Sequence, residues 1–380
     1  MPGYELIARD ERDAVFDIFD SSNGVLFAHG FDKLRNGRFR VREFENKFAE
    51  KMNANYALAV SSGSAALKVA LSALNVGFGD EVIVPSFTFI STAEAVMEVG
   101  ATPVIADINR TFNLDPADVI AKITPRTKAI IAVHMMGCAA DILALKKITD
   151  EHSLKLIEDV AQCCGGKIDD VYLGQYGDAG CFSFDFGKTI TCGEGGMITF
   201  KNERDFARGR AIHDHGHEYS DPNRANDPAI LRGFNYRMTE IQAAIGMVQL
   251  SKLDHILKAQ KENKARLKER IGNLNFRFRE IVADSGDIGD SIIVFIDKSV
   301  KSRTLSKLIQ EFSLPTKNIP DAIRWHYAGF WQHLLGENAP RNYQNTDLYL
   351  LNSIAIPINV FSTTDTENRV FDFFSALKSV

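Results

Sequence analysis

Lys188 carries the most specific chemical signal in the chain. It lies in the segment 182–196, which reads Phe-Ser-Phe-Asp-Phe-Gly-Lys-Thr-Ile-Thr-Cys-Gly-Glu-Gly-Gly. Most lysines are solvated surface residues, but this one stands between an aromatic stretch and a glycine-dense turn, where a backbone can approach a ligand closely. In a confined place the ammonium form is disfavoured and the free amine can attack a carbonyl carbon. The segment therefore predicts a nucleophilic lysine.

A second candidate is the stretch 61–67, Ser-Ser-Gly-Ser-Ala-Ala-Leu, which follows the apolar run 57–60 and opens a helical pattern. The first turn of a helix offers free backbone N–H groups and the positive end of the helix dipole, and both favour phosphate binding. Serines at helix starts also act simply as N-caps. The stretch alone is compatible with either role.

The third candidate is the segment 158–162, Glu-Asp-Val-Ala-Gln, at the end of another apolar run. Ligands of open α/β sheets bind at the carboxyl ends of the strands. A carboxylate there can bind a metal, act as a base, pair with a protonated ring nitrogen or cap the local backbone. The segment alone leaves these roles open.

Two further groups are candidates for substrate binding. His215 and His217 lie two residues apart, and because no third ligand stands near them we predict no metal site. Arg324 and His326 lie in a stretch that holds both tryptophans of the chain. Packing of a small domain explains this stretch as well as contact with a sugar or a carboxylate does.

Short apolar runs alternate with helical patterns from residue 57 to about 200. The runs are apolar on both faces, which is typical of parallel strands covered by helices. They occupy residues 81–85, 103–107, 129–134, 154–158, 180–184 and 196–200. We predict helices between them, for example at 64–74 and 92–99, and hence an α/β fold with a mainly parallel central sheet.

The pattern changes beyond Thr239, where apolar residues recur at helical spacing and a charged stretch follows. This predicts one long helix with a solvated far end. A strand at 291–296 and a helix at 306–312 come after it. We therefore predict a large domain with the N-terminal segment at 1–250 and a small C-terminal α+β domain at 251–380.

The 380 residues are 45% hydrophobic and carry a net charge of −5. This composition is typical of a globular protein and gives no electrostatic support for nucleic-acid binding. The start lacks a signal-peptide pattern, and no apolar run approaches the length of a membrane span. The five cysteines contain no Cys-x-x-Cys pair and predict no disulfide framework. We expect a cytoplasmic protein that binds neither nucleic acid nor membrane.

Together the motifs resemble those of the DegT/StrS family of sugar aminotransferases. The three segments around Ser64, Asp159 and Lys188 have the family's order and spacing, and the segments 233–238, Gly-Phe-Asn-Tyr-Arg-Met, and 240–244, Glu-Ile-Gln-Ala-Ala, match as well. The resemblance covers most of the chain. It implies the pyridoxal-phosphate fold type I, which is aspartate aminotransferase-like, with pyridoxal 5'-phosphate as the cofactor.

The resemblance also implies roles around the cofactor ring. Lys188 would hold pyridoxal phosphate as a Schiff base and serve as general acid and base. Asp159 would pair with the pyridine nitrogen and keep it protonated, which makes the ring an electron sink. Gln162 would bind the ring hydroxyl oxygen, and Phe89 would stack on the ring face.

The phosphate is held, by the same resemblance, through the backbone at Ser64 and Ala65 and through the Ser183 hydroxyl. Asn235 would reach it from the neighbouring subunit, which implies a homodimer with shared active sites. The family commonly has threonine where Ser64 stands, and serine keeps both the hydroxyl and the N–H.

The implied reaction moves an amino group from L-glutamate to a keto- or aldehydo-sugar. Three alternatives stay open: a pyridoxal-phosphate sugar dehydratase, a regulator without enzymatic activity, and a phosphate-binding module without covalent cofactor. A related dehydratase branch carries histidine in place of Lys188, so the lysine favours transamination. Intact Asp159 and Gln162 oppose a regulator.

Within the family, the opening Met-Pro-Gly-Tyr-Glu-Leu and the segment 214–217, Asp-His-Gly-His, resemble the branch that makes 8-amino-3,8-dideoxy-manno-octulosonate for lipopolysaccharide. The predicted acceptor is then 8-oxo-3-deoxy-manno-octulosonate. Its carboxylate would need a cation, for which Arg324, His326, His215 and His217 are candidates. The alternative acceptor is a nucleotide-linked 3- or 4-keto-6-deoxyhexose.

Overall fold

The computed structural model of the protein describes residues 3–221, 225–297, 300 and 302–379, so Met1 and Pro2 of the opening segment lie outside the described residues. In these ranges the strands are β1 (Tyr56–Val60), β2 (Glu81–Pro85), β3 (Thr102–Ala106), β4 (Thr127–Val133), β5 (Lys155–Asp159), β6 (Lys167–Ile168), β7 (Val171–Tyr172), β8 (Ala179–Ser183), β9 (Gly196–Phe200), β10 (Arg277–Phe278), β11 (Ser291–Phe295) and β12 (Ser353–Pro357). The α-helices there are α1 (Arg9–Ser21), α2 (Arg40–Met52), α3 (Gly63–Ala73), α4 (Ser91–Glu98), α5 (Pro116–Lys122), α6 (Ile142–His152), α7 (Glu203–Ile212), α8 (Glu240–Gly272), α9 (Ser302–Glu311), α10 (Ile323–His326), α11 (Gln332–Leu335), α12 (Gln344–Leu350) and α13 (Thr364–Lys378).

Seven of these strands form the central sheet, in the order β1-β9-β8-β5-β4-β2-β3. β9 runs antiparallel to both neighbours, and the other six strands share one direction. The α/β fold with a mainly parallel sheet is therefore confirmed. The reversed strand was not predicted. β9 follows β8 after a loop without a crossover helix, and such a connection reaches an antiparallel neighbour.

Helices cover both faces of the sheet. One apolar layer brings α2, α6 and α8 onto the strands through residues such as Phe48, Leu145 and Leu253. The other brings α3 and α4 onto the opposite face through Leu71 and Val96. Because β1, β4, β5 and β8 run in the same direction, their carboxyl ends meet at one edge of the sheet. The three candidate segments all lie at that edge.

An antiparallel sheet of β10, β11 and β12 forms a second unit. It packs with α9, α13 and the end of α8 around Leu267, Ile292 and Phe373. The predicted strand at 291–296 and helix at 306–312 correspond to β11 and α9. The predicted boundary at residue 250 falls inside α8, which both units share, so the division into 1–250 and 251–380 stays a proposal.

Candidate active site

A cavity of about 310 Å³ opens at the sheet edge where the candidate segments meet. Its lining residues are Ser62, Gly63, Ser64, Leu67, Thr88, Phe89, Ser91, Val133, Asp159, Ala161, Gln162, Cys181, Phe182, Ser183, Asp185, Lys188, Glu194, Asn318 and His326. Six of the eight residues predicted to bind the cofactor are among them. The two that are not are Ala65 and Asn235.

Lys188 lies half-buried in the loop between β8 and β9. Its backbone N–H donates to the carbonyl of Asp185 at 3.0 Å, and its own carbonyl accepts from the N–H of Gly3 at 3.0 Å. These bonds fix the backbone and leave the side chain facing the cavity. Among the described lining residues it is the one lysine or arginine, against the carboxylates of Asp159, Asp185 and Glu194.

Asp159 ends β5 and is buried. Its Oδ1 accepts from the N–H of Ala161 at 3.1 Å, and its Oδ2 accepts from the hydroxyl of Thr92 at 3.2 Å. Burial raises the pKa of this carboxyl, while the Ala161 N–H and the charge of Lys188 lower it. An oriented carboxylate that is desolvated in this way favours a cationic partner inside the cavity.

Gln162 follows in the same loop, and its Oε1 accepts from the N–H of Met136 at 3.1 Å. Because a backbone N–H can only donate, the carboxamide oxygen must face Met136, and the NH2 group faces elsewhere. Glu158, in contrast, accepts backbone N–H bonds from Gly174, Tyr176 and Gly177 and does not line the cavity. Of the alternatives for this carboxylate, its contacts favour the structural one.

The turn from β1 into α3 forms the other end of the cavity. Ser62 caps α3 by accepting from the N–H of Ala65 at 3.1 Å. Gly63 and Ser64 occupy the first helical positions, where no carbonyl inside the helix accepts from an N–H. A Cβ on Gly63 would lie 2.7 Å from the Cβ of Ser183. Only glycine therefore lets this turn approach the end of β8.

The N–H of Ala65 is already held by Ser62, and Ala65 does not line the cavity, so its role at the phosphate stays a prediction. The N–H groups that remain belong to Gly63 and Ser64. Together with the Ser183 hydroxyl, they form a cradle of the size and polarity that a phosphate needs. The cradle, the Lys188 amine and the buried Asp159 carboxylate fit a phosphate-bearing aldehyde with a basic ring nitrogen, which describes pyridoxal phosphate.

Phe89 and His326 face each other across the cavity, with ring centroids 5.4 Å apart. The Nδ1–H of His326 donates to the carbonyl of Ala322 at 2.8 Å, which leaves Nε2 as an acceptor. Burial lowers the pKa of His326, so its ring is neutral at neutral pH. A neutral ring favours a hydrogen bond to the substrate over a charge pair with a carboxylate, and the substrate role of His326 stays a prediction.

The other residues predicted to bind substrate lie away from the cavity of their own chain. Arg324 is exposed, and its guanidinium carbon lies 5.7 Å from the ring centroid of Phe330. His215 is exposed, and the Nδ1 of His217 is 3.0 Å from a carboxylate oxygen of Asp227. The cations expected for a sugar acid are therefore not brought together within one chain.

Asn235 belongs to a segment that we call the outer loop, residues 213–221 and 225–237. It is exposed, and its Oδ1 accepts from the N–H of Arg237 at 3.3 Å. Arg237 in turn binds the buried carboxylate of Asp214, which also accepts from the hydroxyl of Tyr219 at 2.7 Å. The outer loop is thus held by polar contacts of its own and by the N–H of Ser61, which donates to the carbonyl of Tyr236 at 2.7 Å, and its residues do not line the cavity of their own chain.

Two residues of the site escaped sequence reasoning. The Thr92 hydroxyl donates to Asp159 and lies 2.8 Å from the hydroxyl of Thr88. The one sequence feature that pointed to it was the spacing of four residues between the two threonines. Asn318 comes from the second unit, and its buried Nδ2 has no partner among the described residues. Nothing in the sequence around Asn318 distinguished it.

Three findings bear on the setting of the site. None of the helices in the described ranges has the length and apolar character of a membrane span. Those ranges also contain no group of three His, Cys, Asp or Glu side chains that could hold a metal ion. The five cysteines are free thiols and buried.

A half-buried lysine beside a cradle of backbone N–H groups, with a buried aspartate on the neighbouring strand of such a sheet, is typical of a pyridoxal-phosphate enzyme of fold type I. The sequence profile of the DegT/DnrJ/EryC1/StrS aminotransferase family matches residues 27–375. The chain belongs to this family. Its membership confirms the predicted family and cofactor.

Several relatives bear names linked to sugars. GDP-perosamine synthase of Caulobacter vibrioides is 44% identical over 242 residues, which cover 63% of this chain and 64% of that protein. The GDP-perosamine synthase of Vibrio cholerae is 39% identical, over 58% of this chain and 60% of that protein. The matches thus span less than two thirds of these relatives. The spore coat polysaccharide biosynthesis protein SpsC of Bacillus subtilis is 31% identical over 88% of both chains.

Solved structures agree with the fold over nearly the whole chain. An aminotransferase from Psychrobacter cryohalolentis superimposes with a TM-score of 0.86 at 25% identity, over 98% of this chain and 97% of that one. NtdA from Bacillus subtilis, solved with bound cofactor PMP, gives a TM-score of 0.86 at 25% identity, over 100% of this chain and 84% of that one. The prediction of fold type I is confirmed.

Proposed function

We propose that this chain is a pyridoxal-phosphate-dependent aminotransferase that passes an amino group from L-glutamate to the keto carbon of a nucleotide-linked sugar. The observation that carries the proposal is the convergence of Lys188, Asp159 and the turn 62–64 on one cavity. The three lie at the ends of three different strands. Each is proposed to bind a different part of the cofactor. Membership of an aminotransferase family supports the reaction type.

Bound pyridoxal phosphate would supply the electron sink that allows a substrate carbon to lose a proton. Asp159 keeps the ring nitrogen protonated, and its contacts with Thr92 and Ala161 hold the carboxylate in place for that role. Lys188 would hold the cofactor through its side-chain amine. The same amine, when free, would serve as general acid and base for the proton that the substrate carbon loses.

The proposed acceptor differs from the octulosonate predicted from the sequence. A sugar acid needs a cation for its carboxylate, but Arg324 is exposed outside the cavity and His326 is neutral. A nucleotide-linked 3- or 4-keto-6-deoxyhexose presents hydroxyls instead. Nε2 of His326 and Nδ2 of Asn318 offer them one acceptor and one donor. The names of the GDP-perosamine synthases support a nucleotide carrier.

The proposal includes a homodimer in which the outer loop completes the site of the partner. Asn235 is exposed on that loop, and its neighbour Phe234 is 63% exposed. The guanidinium carbon of Arg237 lies 5.2 Å from the ring centroid of Phe27, and the ring centroids of Phe27 and Phe31 are 6.4 Å apart. Both rings are exposed, so an aromatic surface continues beside the loop. Such a patch is typical of an interface, and a two-fold axis would offer each site the Asn235 of the other chain.

The decisive experiment uses the protein loaded with pyridoxamine phosphate. It is mixed separately with a GDP-linked 4-keto-6-deoxyhexose and with 8-oxo-3-deoxy-manno-octulosonate, and both cofactor absorbance and amino-sugar product are measured. We expect rapid conversion with the nucleotide-linked sugar only, and Lys188→Ala serves as the inactive control.

The outcomes separate the alternatives. Reaction with the octulosonate alone would overturn the proposed acceptor and leave the aminotransferase intact. A deoxygenated product without nitrogen would indicate the dehydratase. Absence of a visible absorbance band after addition of pyridoxal phosphate would contradict the cofactor role altogether.

A further inference from the structure

The tight turn after β4 lies beside the site and contains a residue in an unfavourable backbone conformation. Met136, in the 3-10 helix Met135–Gly137, has φ 54° and ψ 46°, the left-handed region, and is fully buried. For a residue with a side chain this conformation is unfavourable and persists only where its surroundings fix it. The contacts that fix it come from a distant part of the chain.

Arg279, which follows β10 in the second unit, supplies most of those contacts. Its Nη1–H donates to the carbonyl of Met135 at 3.1 Å, and its Nη2–H donates to that of Met136 at 2.6 Å. The Ser291 hydroxyl donates to the same Met136 carbonyl at 3.1 Å. Hydrogen bonds from a buried guanidinium are charge-assisted and therefore stronger than neutral ones.

Two nearby carboxylates feel the charge of Arg279, which helps to lower the pKa of Asp287 and of Asp290, but their hydrogen-bonded cations are other residues. Asp287 is bound by Lys264 at 2.5 Å, and Asp290 is bound by Lys317. Each carboxylate therefore has its own lysine. The side-chain hydrogen bonds of Arg279 go to the carbonyls of the turn and not to these carboxylates. Its structural role is therefore to hold the turn.

The turn reaches the cavity through one bond. The Met136 N–H donates to Oε1 of Gln162 at 3.1 Å, and Gln162 lines the cavity. This bond decides the orientation of the carboxamide, because it holds the oxygen and frees the NH2 group to donate. If the turn changed conformation, the Gln162 carboxamide would lose the hydrogen bond from Met136 and could rotate.

We propose that Arg279 is a positioning residue that acts through the Met136 turn to keep the Gln162 NH2 group donating to the ring hydroxyl oxygen of the cofactor. The inference rests on the proposed function, because it requires bound pyridoxal phosphate. A donor to that oxygen stabilises its anionic form. The pH at which the visible band of the bound cofactor changes therefore reports on the donor.

The test is a double-mutant cycle read by absorbance. Gln162→Leu and Arg279→Met are each loaded with pyridoxal phosphate and titrated, and we expect both midpoints to rise by about one pH unit. In the Gln162→Leu/Arg279→Met protein we expect no further rise, because Arg279 acts only through Gln162. Arg277→Met, at an exposed position in β10, should titrate like the wild type.

A purely structural Arg279 would lower the melting temperature and leave the midpoint unchanged, or would add its shift to that of Gln162→Leu. Either result overturns the inference. If Arg279→Met fails to fold, Ser291→Ala removes the other donor to the Met136 carbonyl and must shift the midpoint in the same direction. A wild-type protein that shows no visible band contradicts the proposed function instead, so the two failures are distinguishable.

Discussion

The cavity wall, which the strand ends form, differs from the outer loop in how its polar groups are held. Asp159, Gln162 and Ser62 are each oriented by backbone N–H groups of the same sheet edge. Asn235 is exposed and is not among the described residues that line the cavity. In the proposed homodimer, one half of the site is complete within a single chain, and the other half is supplied by the outer loop of the partner.

This difference has a physical origin. Parallel strands bring their carboxyl ends to one edge, so residues far apart in sequence converge without any further element. A loop outside the sheet has no such constraint, and its functional geometry depends on what packs against it. Substitutions in the cavity wall should therefore act within one subunit, and substitutions in the outer loop should act across subunits.

The largest effect is expected in the cavity wall, for Lys188→Ala. Loss of the amine removes both the covalent hold on the cofactor and the proton carrier, so turnover should fall by about three powers of ten or more. Borohydride reduction of the wild type followed by peptide mass analysis should find the pyridoxyl group on Lys188. An adduct on another lysine would disprove the assignment.

Asp159→Asn should be the next most damaging change. The amide keeps the shape but not the charge, so the ring nitrogen loses its partner and turnover should fall by about two powers of ten. Asp170→Asn, at an exposed position, is the matched control. Turnover near that of the control would mean that the Asp159 carboxylate only orders the backbone.

A smaller effect, on substrate binding alone, should distinguish His326 from Arg324. His326→Phe removes the acceptor from the cavity and should raise the KM for the sugar about tenfold, because a hydroxyl loses its hydrogen bond. Arg324→Ala should leave it within about twofold, since this side chain is exposed outside the cavity. Steady-state kinetics with glutamate held constant decides between them, and a large effect of Arg324→Ala would return the sugar acid to consideration.

The outer loop is tested by mixing two impaired proteins. Lys188→Ala and Asn235→Ala chains, once exchanged, give hybrid dimers in which one site has both good residues. Random mixing makes such sites roughly a quarter of the total, and activity should recover to that level. Lack of recovery despite proven subunit exchange would refute the shared site, provided that each parent alone is nearly inactive.

The same contrast governs what the sequence could predict. Lys188 and Asp159 stand in local motifs whose spacing follows from strand and helix periods, and β2 and β9 were predicted with their observed bounds. Arg279 and Asn318 reach the site through tertiary contacts, for which no local pattern exists. His326 was found, but its charge state depends on burial. Helix α2 was overlooked, although Val41, Phe44 and similar apolar residues recur on one face.

The smallest effect on activity is expected behind the cavity wall, at Glu45 in α2, where a substitution should change stability instead. Its Oε1 accepts from the N–H of Ala59 in β1 at 2.8 Å, the strand that leads to the phosphate turn. Desolvation by burial raises the pKa of this carboxyl from 4.5 to about 7, so the folded state holds the proton more tightly than the unfolded state does. Stability should therefore fall as pH rises from 4.5 through 7, and then level off.

Glu45→Gln keeps an acceptor for Ala59 and removes this titration. At pH 5 the variant should gain less than about 1 kcal/mol, because the folded wild type is still mostly protonated there and only the unfolded chain has lost most of its proton. At pH 8 the gain should be about 3 kcal/mol, since a rise of the pKa from 4.5 to about 7 is worth about 1.4 kcal/mol per pH unit. Urea denaturation at both pH values measures the difference, with Glu50→Gln on the exposed side of α2 as the control. A gain that is equal at both pH values would show that Glu45 acts through packing and not through its charge.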